Sequence, residues 1–291
     1  MVPKSWSKDY KLELLRELYG ELEREFEESD STLAEAKHIS EFDKEADEII
    51  KSSGEIKNIG TGYRNLDKLT GGFDKGELII VSGATATGKT LFALNCLVNS
   101  YLHGSKHGTL IFSLEMTNPQ VTARIKQMMA ADMVGEETNT LPIYFYMSRK
   151  PPTLGVMRKT MDILKKEGKL GMVIIDHLHY FSRVVENQSN EIGHLVREIK
   201  SLAMEYDVPI VLIAHTRKRV AGESITKAPS LDDLRDSSFI AQDADMVIML
   251  SRDILGDRFR LNIQVGKNRN KGETGDIDMS IEEFTWRLRE N

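Results

Sequence analysis

The residues Gly83-Ala84-Thr85-Ala86-Thr87-Gly88-Lys89-Thr90 have the types and spacing of a phosphate cradle. They fit G-x-x-x-x-G-K-[ST] without a mismatch, a pattern that lets backbone N–H groups close around phosphate oxygens. Gly83 and Gly88 allow the chain to turn, Lys89 reaches the β- and γ-phosphates, and the Thr90 hydroxyl is placed to hold Mg²⁺. The flanks agree with this reading. Leu78-Ile79-Ile80-Val81 is a run short enough for a buried strand, and Leu91-Phe92-Ala93-Leu94 has helix-forming composition. A helix beginning near Lys89 adds its positive dipole end, so residues 83 to 91 form a nucleotide-binding segment.

Further chemistry sits at the ends of other apolar runs. Gly171 to Asp176 is an apolar strand closed by an acid, and Asp176 is the expected second holder of Mg²⁺ opposite Thr90. Glu115 follows the strand Thr109 to Leu114 and is placed to deprotonate an attacking water, although its position alone suits an ordinary surface acid equally well. His215 ends the strand beginning at Pro209 and can hydrogen-bond a γ-phosphate, while a lone histidine also serves in cores and loops.

These residues need a scaffold that brings strand ends together. Helical stretches are expected at 119–133, 153–167 and 191–206, and from residue 231 through about Gln242. They alternate with strands at 143–146 and 246–250, a hairpin around Gly256, a strand from Leu261 to Gly266 and a strand-like stretch from Asp276 to Leu288. Alternation of this kind gives βαβ units and a mainly parallel sheet, an α/β fold whose ligands bind at the strand ends. The nucleotide domain is expected to occupy residues 60–291. Residues 1–59 read as a helical arm, with Leu12, Leu15, Tyr19, Leu22 and Phe26 on one face and Ile39, Phe42, Ala46 and Ile49 on a second helix.

Composition narrows the class. The chain has 291 residues and 40% hydrophobic content, ample for a core. No run approaches the roughly 18 apolar residues of a membrane span, and no targeting signal is visible at the amino terminus. One cysteine, Cys96, excludes disulfides within the chain and cysteine-rich zinc modules. Of 39 Lys/Arg and 45 Asp/Glu, residues 1–55 hold 8 and 16, leaving the body nearly balanced at 31 and 29. The net charge of −6 therefore belongs to the arm, and a local basic stripe remains open to the body. Segments 182–190 and 217–231 read as loops. The second carries Arg217, Lys218, Arg219 and Lys227, which can track a phosphate backbone or simply be solvated.

Taken in order, several motifs resemble the RecA-like core of hexameric replicative helicases of the DnaB family, in particular its phage-type branch. They are Thr61-Gly62-Tyr63 with Leu66-Asp67, Thr70-Gly71-Gly72, the phosphate loop, Phe112-Ser113-Leu114-Glu115-Met116, Ile174-Ile175-Asp176-His177 and Ile213-Ala214-His215. Asp233-Leu234-Arg235-Asp236-Ser237, Gln242-Asp243-Ala244-Asp245 and Lys267-Asn268-Arg269 before Gly272-Glu273-Thr274-Gly275 complete the match, which covers about residues 60 to 288. The resemblance implies ATP with Mg²⁺, Glu115 as catalytic base and His215 as γ-phosphate sensor. Arg269 is then an arginine finger inserted into a neighbour's site, with Lys267 beside it. It further implies a homo-oligomeric ring, by analogy a hexamer, around single-stranded DNA, with the basic loop and Arg235 toward the strand and Arg252 near the nucleotide. Movement would run 5′ to 3′. Primase and a helicase loader are the implied partners, in the cytoplasm of a bacterium or phage-infected cell.

The pattern also departs from the family. Residues 1–55 are too short for its amino-terminal helical domain or a fused primase, so a minimal or trimmed member is expected. Lys271 before Gly272 loosens the bacterial Arg-Asn-Gly pattern. Two other readings stay open on sequence alone: a filament-forming strand-exchange or repair ATPase, and a clock-type RecA-like regulatory ATPase that binds protein and not DNA.

Overall fold

The computed structural model describes residues 44, 59–132, 141–148, 150–178, 188–216, 237–255 and 258–291. The chain divides into two compact units, Met1–Ser53 and Gly54–Asn291. The amphipathic arm falls almost wholly outside the described residues, so the architecture below is that of the second unit.

The elements alternate as the sequence predicts. Helix α1 (Arg64–Thr70) precedes β1 (Leu78–Gly83), α2 (Lys89–Leu102), β2 (Thr109–Ser113), α3 (Asn118–Ala131) and β3 (Ile143–Phe145). Then come α4 (Leu154–Lys166), β4 (Met172–Asp176), α5 (Gln188–Tyr206), β5 (Ile210–His215) and α6 (Ser237–Asp243). Four strands close the chain: β6 (Met246–Leu255), β7 (Arg258–Asn268), β8 (Gly275–Ile281) and β9 (Leu288–Glu290). Among the described residues they form one sheet in the order β3-β2-β4-β5-β1-β6-β7-β8-β9. Pairing is parallel from β3 through β6 and antiparallel from β6 to β9.

Alternation of side chains across the sheet divides the core in two. Ile79, Val81, Ile174 and Ile213 pack with Phe92 and Leu97 of α2, while Leu78, Ile80, Val173 and Leu212 pack with Met161 of α4 and Val196 of α5. Strands covered on both faces must be apolar at every position, which is why 78–81 and 172–175 carry uninterrupted apolar runs. Before the sheet, Asp67 of α1 accepts hydrogen bonds from the Thr61 N–H and hydroxyl and from the Gly62 N–H, fixing the entry into the domain.

Three expectations need correction. The stretch from Asp276 to Leu288 is two strands, separated by a turn in which Phe284 and Trp286 take φ of 68° and 61°. Neither residue is a glycine or proline, so nothing in the composition announces the turn. β6 extends to Leu255, beyond the expected stop at Leu250, because β7 pairs along its whole length. Helix α5 begins at Gln188, inside the segment expected as a loop.

Candidate functional site

The phosphate loop is held by packing against the sheet centre. A Cβ on Gly83 would lie 2.6 Å from the carbonyl oxygen of Leu250 on β6 and 2.8 Å from the Thr87 hydroxyl, so only glycine fits between the two strands. Gly88 has φ of 104°, the left-handed turn that swings the chain into α2. No side chain caps the amino terminus of α2, leaving its first N–H groups directed at the loop. Thr87 closes the loop on itself by donating its hydroxyl to the Ala84 carbonyl at 2.8 Å.

Lys89 is 6% exposed, and its ammonium donates to the carbonyls of Gly83 at 3.0 Å and Ala84 at 2.8 Å. Burial lowers its pKa, opposed by the carboxylates of Glu115 and Asp176. Thr90 donates its hydroxyl to Asp176 Oδ2 at 2.8 Å, so the two residues expected to share Mg²⁺ are neighbours. Burial pushes the Asp176 carboxyl up to about 6, with the Thr90 hydrogen bond pulling the other way. Its second oxygen, Oδ1, is buried with no hydrogen-bond partner among the described residues. A buried carboxylate oxygen beside a hydroxyl fits a hard divalent cation such as Mg²⁺.

Strand pairing collects the other groups. β2 lies beside β4 with Ser113 opposite Asp176, and β5 lies between β4 and β1 with His215 opposite Gly83. Glu115 emerges two residues beyond β2, is half-exposed, and sets Oε2 3.8 Å from Nε2 of His177. His177 in turn stands edge-on to His215, with ring centroids 4.3 Å apart. Lys89, Thr90, Glu115 and His215 thus line one cleft of about 330 Å³, at the small end of the range for ligand sites. Leu91 borders the cleft with its side chain anchored in the core. Ala86 and Arg252 form its rim, where the Arg252 guanidinium donates to the Ala86 carbonyl at 3.4 Å.

Lys267 and Arg269 do not join this cleft. Lys267 pairs with Val247, whereas the phosphate loop pairs with Leu250, three residues or about 10 Å further along β6. Lys267 donates to the carbonyls of Ala241 and Gln242 at the end of α6, and Arg269 donates to Gln242 O at 2.6 Å and faces Asp245 at 3.6 Å. Burial lowers the Lys267 pKa, and the Arg269 charge adds to it. Arg217, Lys218, Arg219, Lys227 and Arg235 lie outside the described residues.

The cleft has one wall that the sequence did not disclose. Ile281 ends β8 and Trp286 comes from the turn between β8 and β9, and Arg124 of α3 stands 5.3 Å over the Trp286 ring. The left-handed turn is locked by Glu282 N–H to Arg287 O at 2.8 Å and by Asn95 of α2, which donates to Trp286 O at 2.9 Å. Arg287, 3% exposed, donates hydrogen bonds to Asn95 Oδ1 and Asn99 Oδ1 and is ion-paired with Asp132 at 2.7 Å, tying the turn to the helix that follows the phosphate loop. The one sequence signal for it is a clustering of Arg287 and Arg289 after an aromatic pair.

A phosphate loop between a strand and an uncapped helix, with an acid from a neighbouring parallel strand on its Thr, defines a P-loop nucleotide-binding domain of the RecA-like kind. Residues 58–137 and 126–290 match the DnaB-like helicase C-terminal domain, and the chain belongs to that family. It is 29% identical over 293 residues to the replicative DNA helicase DnaC of Bacillus subtilis strain 168, covering 88% of this chain and 64% of that one. It is 34% identical over 255 residues to the replicative DNA helicase DnaB of Rhodothermus marinus, covering 78% of this chain and 27% of the other. The chain therefore spans only part of the length of these relatives. Among solved structures, the fold matches an ATPase domain with a TM-score of 0.74 at 20% identity, covering 87% of this chain and 99% of that domain. A DnaB-like replicative helicase, solved in a study of its interactions with primase, matches with a TM-score of 0.71 at 21% identity, covering 87% of this chain and 67% of that one.

Proposed function

We propose that the chain is the motor of a ring-forming DNA helicase, hydrolysing ATP with Mg²⁺ and translocating on single-stranded DNA. The observation that carries this reading is the hydrogen bond from Thr90 to Asp176 within a cleft that Glu115 and His215 also face. Thr90 and Asp176 would hold Mg²⁺, which when bound neutralises phosphate charge. Lys89 is positioned to exchange its loop carbonyls for phosphate oxygens. Glu115 accepts the proton of the attacking water, His177 stands beside its carboxylate, and His215 senses the γ-phosphate. The adenine ring lies against Trp286.

Each complete site takes Arg269, with Lys267 beside it, from an adjacent subunit. The distance of this pair from the cleft in its own chain supports that division. The relatives named as replicative DNA helicases support the DNA substrate, and the basic segment 217–227 together with Arg235 supplies contacts to the strand. A hexameric ring, movement 5′ to 3′, partnership with primase or a loader, and a cytoplasmic setting belong to the same proposal. The deciding experiment measures ATPase rate with and without single-stranded DNA, alongside mass by light scattering with ATP and Mg²⁺. Stimulation by DNA in a closed ring is expected. A DNA-independent rate, or a monomer under every condition, would remove the motor.

A further inference from the structure

The hydrolytic reading gives His177 no chemical step of its own, although the side chain is buried at the centre of the catalytic edge. It follows directly after Asp176, and its ring lies between the residue that would activate water and the residue that would sense phosphate. Nε2 is 3.8 Å from the Glu115 carboxylate, and the His215 ring meets it edge-on at an interplanar angle of 82°. One donor atom from each of Glu115, His177 and His215 lies within 4.8 Å of the other two.

Donor type separates this trio from the Mg²⁺ pair next to it. Thr90 and Asp176 offer only oxygen, the set that hard cations prefer. Two imidazoles and one carboxylate are a set for zinc and its neighbours in the transition series, with a fourth tetrahedral position left to water or a phosphate oxygen. Two donors on one tetrahedral zinc stand roughly 3.4 Å apart, given bonds near 2.0–2.2 Å. Closing the trio therefore requires shifts of about 1 Å. Glu115 can supply most of that movement, because its side chain is 45% exposed and lies in the loop after β2.

We propose that Glu115, His177 and His215 form a binding site for a divalent transition-metal ion of the zinc class, and that filling it arrests ATP hydrolysis. Bound metal occupies the lone pair with which Glu115 would accept the proton from water, and it pins His215 away from the γ-phosphate. Lys89 and Thr90 are not ligands, so nucleotide still binds. The metal site stands on the geometry of the trio, whereas the arrest rests on the proposed hydrolysis with Glu115 as base.

The test titrates the intact, nucleotide-free chain with Zn²⁺ against a chromophoric chelator, and with Co²⁺ as a visible-absorbing substitute. One equivalent per chain is expected. Glu115→Gln, His177→Asn and His215→Asn should each lose more than the roughly tenfold in affinity that removal of an outer hydrogen-bond partner of a metal ligand costs. His194→Asn, on the exposed face of α5, should lose none. Glu115→Gln preserves shape at a half-exposed position, so unchanged zinc affinity in that variant overturns the site even if the histidine variants misfold. In the second arm, ATPase is followed in excess Mg²⁺ while Zn²⁺ is added, with a fluorescent nucleotide reporting occupancy. Turnover that stops, recovers with a zinc-selective chelator and leaves nucleotide bound supports the arrest. Turnover unaffected at saturating zinc overturns it and leaves the hydrolytic reading intact. Zinc bound by a protein that shows no ATPase without zinc upholds the metal site and removes the hydrolytic reading instead.

Discussion

The parallel strands β3, β2, β4, β5 and β1 and the antiparallel strands β6 to β9 meet at the pairing of β1 with β6, and the two halves are built on different rules. In the parallel half, strands such as β1 and β4 are buried along their whole length. Their polar residues are confined to the carboxyl ends, where Asp176 and His215 emerge. In the antiparallel half, Leu261, Ile263 and Val265 are buried while Asn262 and Gln264 alternate with them on a partly open face. This half places its functional side chains at a strand interior, a strand end and a strained turn. The parallel half thus carries the phosphate loop and the strand-end groups beside it, while the antiparallel half supplies the Trp286 wall of the cleft and, away from it, the Lys267 and Arg269 pair.

Variants in each half test that division. Arg269→Ala should bind nucleotide yet lose turnover by on the order of 10³-fold or more, because as the proposed arginine finger this residue would supply positive charge needed only in the transition state. Normal steady-state turnover would take the antiparallel half out of the chemistry. Glu115→Gln should lower single-turnover hydrolysis by roughly 10²- to 10⁴-fold without weakening nucleotide binding. An equal loss of binding would assign Glu115 to the cradle. Arg287→Met should destabilise the domain by about 1–3 kcal/mol in urea unfolding, since it takes the guanidinium from the buried Asn99 oxygen and leaves Asp132 to Arg289 and the Asn95 oxygen to the Leu288 N–H. A change below a few tenths would show that the turn is not fastened through this guanidinium.

Trp286→Ala should weaken ATP binding by about 1–3 kcal/mol, the usual worth of a base stacked on an aromatic ring, and leave inorganic tripolyphosphate binding unchanged. Equal effects on both ligands would place the tryptophan against the phosphates. The effect confined to acid conditions concerns His107, whose imidazole burial holds down to about 4, against an ordinary value near 6.5. The native state binds this proton less readily than the unfolded chain. Its contribution to stability is therefore complete above pH 6.5 and is lost as pH falls from 6.5 towards 4. His107→Gln should flatten that limb of a stability profile measured by chemical denaturation.

The same contrast explains what could be read from the residues alone. Burial on both faces writes parallel strands into the sequence as unbroken apolar runs, so 78–81 and 172–175 identify themselves, and the phosphate loop is a local motif with fixed spacing. Asp176 follows from both signals. His177 does not, because its importance depends on β2 and β5 flanking β4, an order in space that no run of residues encodes. Trp286 was hidden for a different reason. Its turn has strand-like composition and is stabilised by Asn95 and Arg287 across the fold, not by a local glycine or proline.

That cross-fold fastening sets an order of events during synthesis. Lys89 and the helix it opens leave the ribosome early, but the wall bearing Trp286 follows roughly 200 residues later, about 10–40 s at common elongation rates of 5–20 residues per second. Throughout that interval a nascent chain has a phosphate loop without the Trp286 wall of its cleft. Nucleotide can therefore act as a late stabiliser of the finished domain, and not as a template on which its first strands assemble.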